Sequence, residues 1–219
     1  MNLPLYQVDA FTDSIFKGNP AAVCPLEYWL PNDTMQQIAM ENNLSETAFF
    51  LKNGRNFDLR WFTPAIEVDF CGHATLATAH VLFEHLKYSE EKVIFQTRSG
   101  QLEVSREDDW YTLNFPTDEI QPVSNPPEAL LNSLNIAAKE IFKGKEDYLV
   151  IVDNQTIVAN CQPDFRLLAS IGGRGVIVSA QGESVDFVSR GFFPAAGIDE
   201  DPVTGSAHTT LTPYWSKKL

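Results

Sequence analysis

The segment EVDFCGHATLATAHVLFEHLK, residues 67–87, restricts the folds open to this chain more than any other. From Gly72 onward it has helical length, and its charged residues, Glu84 and Lys87, fall in the last turn. A helix that is apolar nearly all round belongs in the middle of something rather than on a surface. The flanking sequence supplies strands to wrap it. Apolar runs of strand length recur at 5–11, 21–26, 46–51 and 58–62, a hairpin turning at Ser99-Gly100 is predicted over 92–107, and WYTLNF follows at 110–115. One further helix is predicted over 32–43, with Asn32 or Asp33 as its N-cap.

A second segment, EDPVTGSAHTTLTPYW (200–215), matches the start of the first. Glu67, Gly72 and Ala74 correspond to Glu200, Gly205 and Ala207 at a constant offset of 133 residues; Cys71 falls opposite Thr204 and His73 opposite Ser206. Three identities in eight do not by themselves separate duplication from chance, but each segment sits late in its half of the chain, after several strands. The stretch 116–130, rich in proline and acids, reads as a linker. Beyond it come a helix at 127–135, a strand at 148–153, a helix at 164–171 and strands at 175–180 and 185–193. Strands and short helices mix without a regular βαβ rhythm, which predicts an α+β architecture. The expected organisation is an N-terminal lobe over 1–117 and a C-terminal lobe over 118–219, each sending a helix start toward a shared cleft.

Composition narrows the function classes. The 219 residues carry 16 basic and 29 acidic side chains, a formal charge of −13. That balance argues against nucleic acid or an anionic membrane as partner. There is no run of eighteen apolar residues to span a membrane, and MNLPLYQVDAF lacks the pattern of a secretion signal. Cys24, Cys71 and Cys161 are too few and scattered for a disulfide framework, so reduced thiols and a cytoplasmic location are expected.

The chemistry-bearing candidates cluster around the two helix starts. A helix N-terminus offers unpaired N–H groups and partial positive charge, which suits a carboxylate or an enolate. The alternative is that Asp201, Thr204 and Ser206 simply cap a structural helix. Glu46 heads an otherwise apolar strand, where desolvation would raise its pKa toward a useful range for proton transfer; an exposed strand-end glutamate is the other reading. His73 is a second proton carrier, an orienting donor or a core histidine. Metal ligation is disfavoured because His73, His80 and His85 are spaced seven and five residues apart, which places no two on adjacent turns of one face. No phosphate loop is present, and GGRG (172–175) reads only as a turn signal.

Four blocks, GNPAAV (18–23), ENNLSETAFF (41–50), RWFTPAIEVDFCGHATLATAHVL (60–82) and DPVTGSAH (201–208), together resemble the PhzF-like isomerase family of phenazine biosynthesis, which shares its fold with the diaminopimelate epimerases. The resemblance implies two similar lobes, each a mixed sheet or barrel round a central helix, with the active site between them. It implies Glu46 as catalytic acid/base, with His73 and Asp201 assisting. Asn19, Gly72, Gly205 and Ser206 would line the site and hold the substrate carboxylate. No cofactor and no metal are implied, and the usual state is a homodimer. The epimerase cousins place a cysteine at each helix start; here Cys71 stands at the first and Thr204 at the second, so a one-carboxyl proton shift is expected over a two-thiol racemisation, with Cys71 a small core residue. Family members usually continue for several strands beyond the PYW helix, so an incomplete second barrel is also expected.

Overall fold

The computed structural model describes residues 2–219 and divides into two compact units, Met1–Phe115 and Pro116–Leu219. In the first unit, β1 (Tyr6–Ala10), β2 (Asn19–Leu26), β3 (Glu46–Asn53), β4 (Asn56–Phe62), the short β5 (Glu67–Val68), β6 (Lys92–Thr97), β7 (Gly100–Glu107) and β8 (Trp110–Leu113) make one sheet. The order is β1-β2-β3-β4-β6-β7-β8, with β5 added on β4. Between β2 and β3 runs α1 (Asn32–Asn42), and α2 (Gly72–His80) follows β5.

Period-two alternation sends side chains of these strands to two different helices. Ala48 and Phe50 of β3, with Phe57, Leu59 and Trp61 of β4, pack round Ala74, Ala77 and Ala79 of α2. Phe49 and Phe62 point the other way, onto Met35 and Ala39 of α1. The apolar helix is enclosed as its composition requires, and its alanines let the curved sheet approach closely. Its last turn widens into a π-turn over Val81–His85, where the Leu86 N–H reaches back to the Val81 carbonyl at 2.9 Å. The cap expected at Asn32 or Asp33 is instead Pro31, whose carbonyl accepts from the Thr34 and Met35 amides. The Asn32 side chain is taken up by Arg60, 3.0 Å away.

The second unit contains β9 (Gln121–Pro122), α3 (Glu128–Leu134), β10 (Glu140–Lys143), β11 (Asp147–Ile151), α4 (Gln155–Asn160), α5 (Phe165–Leu168), β12 (Gly175–Gln181), β13 (Phe187–Phe193), β14 (Ile198–Asp201) and α6 (Ala207–Trp215). Its sheet order is β14-β13-β12-β11-β10-β9. Leu149, Ile151 and Ile177 face α6, while Val150, Val176 and Val178 face α3, α4 and α5.

The two sheets repeat one topology. Along β1-β2-β3-β4-β5 the pairings run antiparallel, parallel, antiparallel, antiparallel. Along β10-β11-β12-β13-β14 they run in the same sequence. In both units the parallel crossover carries helix, and the last short strand leads into the helix that packs under the sheet. The matched glutamates serve this join in the same way: Glu67 on β5 is bidentate to Arg60 of β4 at 2.6 and 2.8 Å, and Glu200 on β14 to Arg190 of β13 at 2.6 and 2.7 Å. The fold is therefore α+β with a repeated sheet-round-helix unit.

Residues 116–130 are more than a tether. Pro213 lies inside α6 and has no N–H for the Thr209 carbonyl; the Asp118 amide donates to that carbonyl instead, at 3.0 Å. Thr210 Oγ1 donates to the Asp118 carboxylate at 3.2 Å, and β9 adds an edge to β10. The predicted helix at 164–171 is confined to α5: beyond Leu168 the Ser170 and Ile171 amides bond three residues back rather than four, and Gly172 and Gly173 then turn the chain through positive φ of 77° and 83°.

Candidate active site

Parallel pairing of β2 with β3, with Ala21 opposite Glu46, puts the starts of both strands at one end of the first sheet. Glu46 is the first residue of β3 and Asn19, fully buried, the first of β2. The loop into β2 turns at Gly18, whose φ is 70°; a Cβ there would come 2.1 Å from the Ala10 carbonyl oxygen, so the position requires glycine. Cys71 immediately precedes α2, and Gly72 and His73 are its first residues, all three buried.

His73 links this group. Its Nε2 lies 3.4 Å from Glu46 Oε2, and its Nδ1 lies 3.5 Å from Cys71 Sγ. Burial drives its pKa down to about 4, outweighing the Pro20 carbonyl that bonds the ring and favours its charged form. The imidazole is therefore neutral near pH 7, and its approach to Glu46 is a close polar contact rather than an ion pair. The Glu46 side chain keeps 12% of its exposure while His73 keeps 3%, so Glu46 is the more accessible member of the pair, although its Oε2, the oxygen facing the imidazole, is buried. The spacing of the histidines gave no sign of this trio. Ligand atoms of Glu46, Cys71 and His73 all fall within 4.8 Å of one another. The imidazole nevertheless turns different nitrogens to the thiol and the carboxylate, an arrangement suited to proton transfer more than to chelation at one ion.

A depressed histidine pKa has a stability consequence with a definite sign. Between pH 6.5 and about 4 the unfolded chain binds a proton that the folded chain does not, so stability falls as pH falls through that window. His73 alone accounts for up to about 3 kcal/mol of that loss. Urea unfolding of the wild type and of His73→Gln at pH 7 and pH 5 is expected to show a smaller acid-induced drop in the variant; equal drops would remove His73 as a cause.

The second helix start is built differently. Thr204 Oγ1 donates to Asp201 Oδ2 at 2.7 Å, and Gly205 leads into Ser206, which is buried and adjoins the first residue of α6. The residues at the N-cap positions of α2 and α6, Cys71 and Ser206, make no side-chain cap bond. Ser206 Oγ instead accepts from Arg174 Nη2 at 3.0 Å. Arg174 is held in turn by Asp147, which is 2% exposed: its Nε donates to Asp147 Oδ1 at 3.0 Å and its Nη2 to Asp147 Oδ2. The guanidinium also lies over the Phe193 ring, 4.9 Å from the centroid.

Arg174 and Asp147 escaped the sequence reading, since an arginine in GGRG and an aspartate heading a strand carry no motif. Parallel pairing of β11 with β12, Asp147 opposite Gly175, brings them together. The predicted residues thus fall into two groups: Asn19, Glu46, Gly72 and His73 in the first unit, and Asp201, Gly205 and Ser206 in the second.

The profile of the family described as phenazine biosynthesis-like protein, PhzC-PhzF, matches residues 8–219. An uncharacterized isomerase of Pseudomonas aeruginosa is 52% identical over 219 residues, covering all of this chain and 84% of that protein. A crystal structure of a PhzF-family phenazine biosynthesis protein from Enterococcus faecalis superposes with a TM-score of 0.88 at 49% identity, across all of this chain and 84% of that one. At the level of fold alone, a hydroxyproline epimerase from Agrobacterium vitis is similar, with a TM-score of 0.59 at 12% identity, over 99% of this chain and 78% of that one. With repeated epimerase-like units, a Glu–His pair at one helix start and family relatives along its whole length, the chain belongs to the phenazine biosynthesis-like PhzC-PhzF family of isomerases.

Proposed function

We propose that the protein catalyses a proton and double-bond shift in a small carboxylate substrate without a cofactor, with Glu46 as the acid/base. The observation that carries this reading is Glu46, a side chain 12% exposed whose carboxylate lies 3.4 Å from a neutral, buried His73. A carboxyl can take a proton from carbon and return it at another carbon of the same face, while a neutral imidazole beside it orients the acid or shares its proton. Asp201, Ser206 and the Gly205 amide are assigned to binding the substrate, with Ser206 and Gly205 on its carboxylate; Asn19 and Gly72 are assigned to its positioning beside Glu46. Acidic net charge leaves recognition of an anion to such local donors.

The test is incubation with a panel of cyclohexadiene carboxylates and cyclic amino acids in deuterated water, followed by mass spectrometry. Label appearing in an isomerised product supports the proposal. Label in an unrearranged, stereochemically inverted amino acid would replace it with epimerisation.

Epimerisation has one observation in its favour, the Cys71 thiol 3.5 Å from His73 Nδ1. Thr204, its counterpart at the second helix start, has no thiol, so this reading needs Cys71 and Glu46 to act as the two proton carriers. Cys71→Ala separates the two. Under the isomerase reading the variant keeps turnover within a few-fold of wild type, because the thiol is packing. Under the epimerase reading it loses at least about a hundredfold.

A further inference from the structure

The geometry points to Arg174 as a positioning residue that aims the Ser206 hydroxyl at the substrate carboxylate. This inference rests on the carboxylate role proposed for Ser206. A serine hydroxyl has one proton and can either accept or donate toward a given neighbour. The Arg174 guanidinium has no acceptor, so its 3.0 Å contact fixes Ser206 Oγ as the acceptor there. The single hydroxyl proton is then committed away from Arg174 and is available to an anionic oxygen.

The guanidinium is unusually well fixed for this task. Two of its N–H groups are engaged by the buried Asp147 carboxylate, and its face rests on Phe193 at 4.9 Å. A planar fork held on one edge and one face has little freedom left, so the N–H directed at Ser206 is pre-oriented. The chain supports the placement as well. The Arg174 amide donates to the Glu146 carbonyl at 3.0 Å, and Gly173 packs where a Cβ would meet that same carbonyl at 2.7 Å. Lysine, a flexible point donor, does not reproduce the bidentate grip and the third bond together.

Benzoate and its neutral isostere benzamide are the probes, with dissociation constants measured by calorimetry on the full chain. Wild type is expected to bind benzoate at least about tenfold more tightly than benzamide. Ser206→Ala and Arg174→Met each reduce that preference severalfold, and the double variant is no worse than Ser206→Ala alone, because Arg174 acts through the hydroxyl. Removing Arg174 strands a buried Asp147, so the paired change Asp147→Leu with Arg174→Met provides a variant without an orphaned charge and is expected to match Arg174→Met in binding. A merely structural role for Arg174 would weaken both probes alike and leave their ratio unchanged. An unchanged ratio, or effects that add in the double variant, overturns the inference. Failure of the wild type itself to prefer benzoate would overturn the carboxylate role of Ser206, and this inference with it.

Discussion

Glu46→Gln is expected to reduce turnover by at least about a hundredfold and to abolish deuterium transfer from solvent into product. The substitution keeps the shape of the side chain at the head of β3 and its neighbour His73, 3.4 Å away, so the sheet around it should not change. What is lost is the ability to hold and release a proton. His73 does not replace it: burial holds the imidazole near a pKa of about 4, which makes it a feeble base. Glu46→Asp should lie between the two, since it keeps the acid but withdraws it by one methylene from the substrate, and positional errors of that size are costly in proton transfer. Unfolding midpoints of all three forms are expected to agree closely. Label incorporation surviving unchanged in Glu46→Gln would remove Glu46 from the mechanism and shift attention to the Cys71 thiol.

The sequence exposed most where one residue type answers to one physical demand. An apolar helix after Gly72 had to be enclosed, and the alternation in β3 and β4 shows how: Ala48, Phe50, Leu59 and Trp61 point to α2 while Phe49 and Phe62 point to α1. The offset between Glu67 and Glu200 pointed to duplication, and the structure gives that pair one shared job, bridging the last two strands before each helix through Arg60 and Arg190. Short elements were less legible. β10 and α4 are four and six residues long, too brief for periodicity to register above loop, and α4 is held by long-range partners as well as its Asn154 cap: Arg190 donates to the Val158, Ala159 and Cys161 carbonyls at its end. Pro31 displaced the expected caps at Asn32 and Asp33 because its carbonyl already closes the first turn of α1. The site was half legible. Glu46, His73 and Ser206 carry motif and position, whereas Arg174 and Asp147 lie far apart in sequence and meet only through the β11–β12 pairing. Cys71 reads as packing, because a histidine two residues away on the same turn is a poor geometry for a base; the structure nonetheless sets its sulfur 3.5 Å from the imidazole.

Trp215→Ala is expected to cost the second unit about 4 kcal/mol, the largest stability effect of any single change considered, and to act on the site through α6. The indole is 6% exposed and stacks on Phe187 with centroids 5.8 Å apart and ring planes within 2°. Its Nε1 donates to Ser179 Oγ at 3.0 Å, inside the cluster where Leu149, Ile177 and Leu211 meet. Truncation therefore opens a cavity and removes the indole donor from a buried serine; the second loss adds to the first. Trp215→Phe keeps most of the volume and the stacking but not the bond, so its cost should be well below half that of alanine. The same helix begins beside Ser206 and has already given up one internal bond at Pro213, which the Asp118 amide replaces from outside. With its C-terminal anchor gone, α6 should loosen toward its start. Circular dichroism in urea measures the first effect, and faster amide hydrogen exchange over 207–215 the second. Weaker benzoate binding with little change in benzamide binding would show that the helix start, rather than the whole unit, has lost its order. A midpoint within about 1 kcal/mol of wild type would mean that α6 is held chiefly by Leu211, Tyr214 and the Asp118 contacts, with the indole a minor partner.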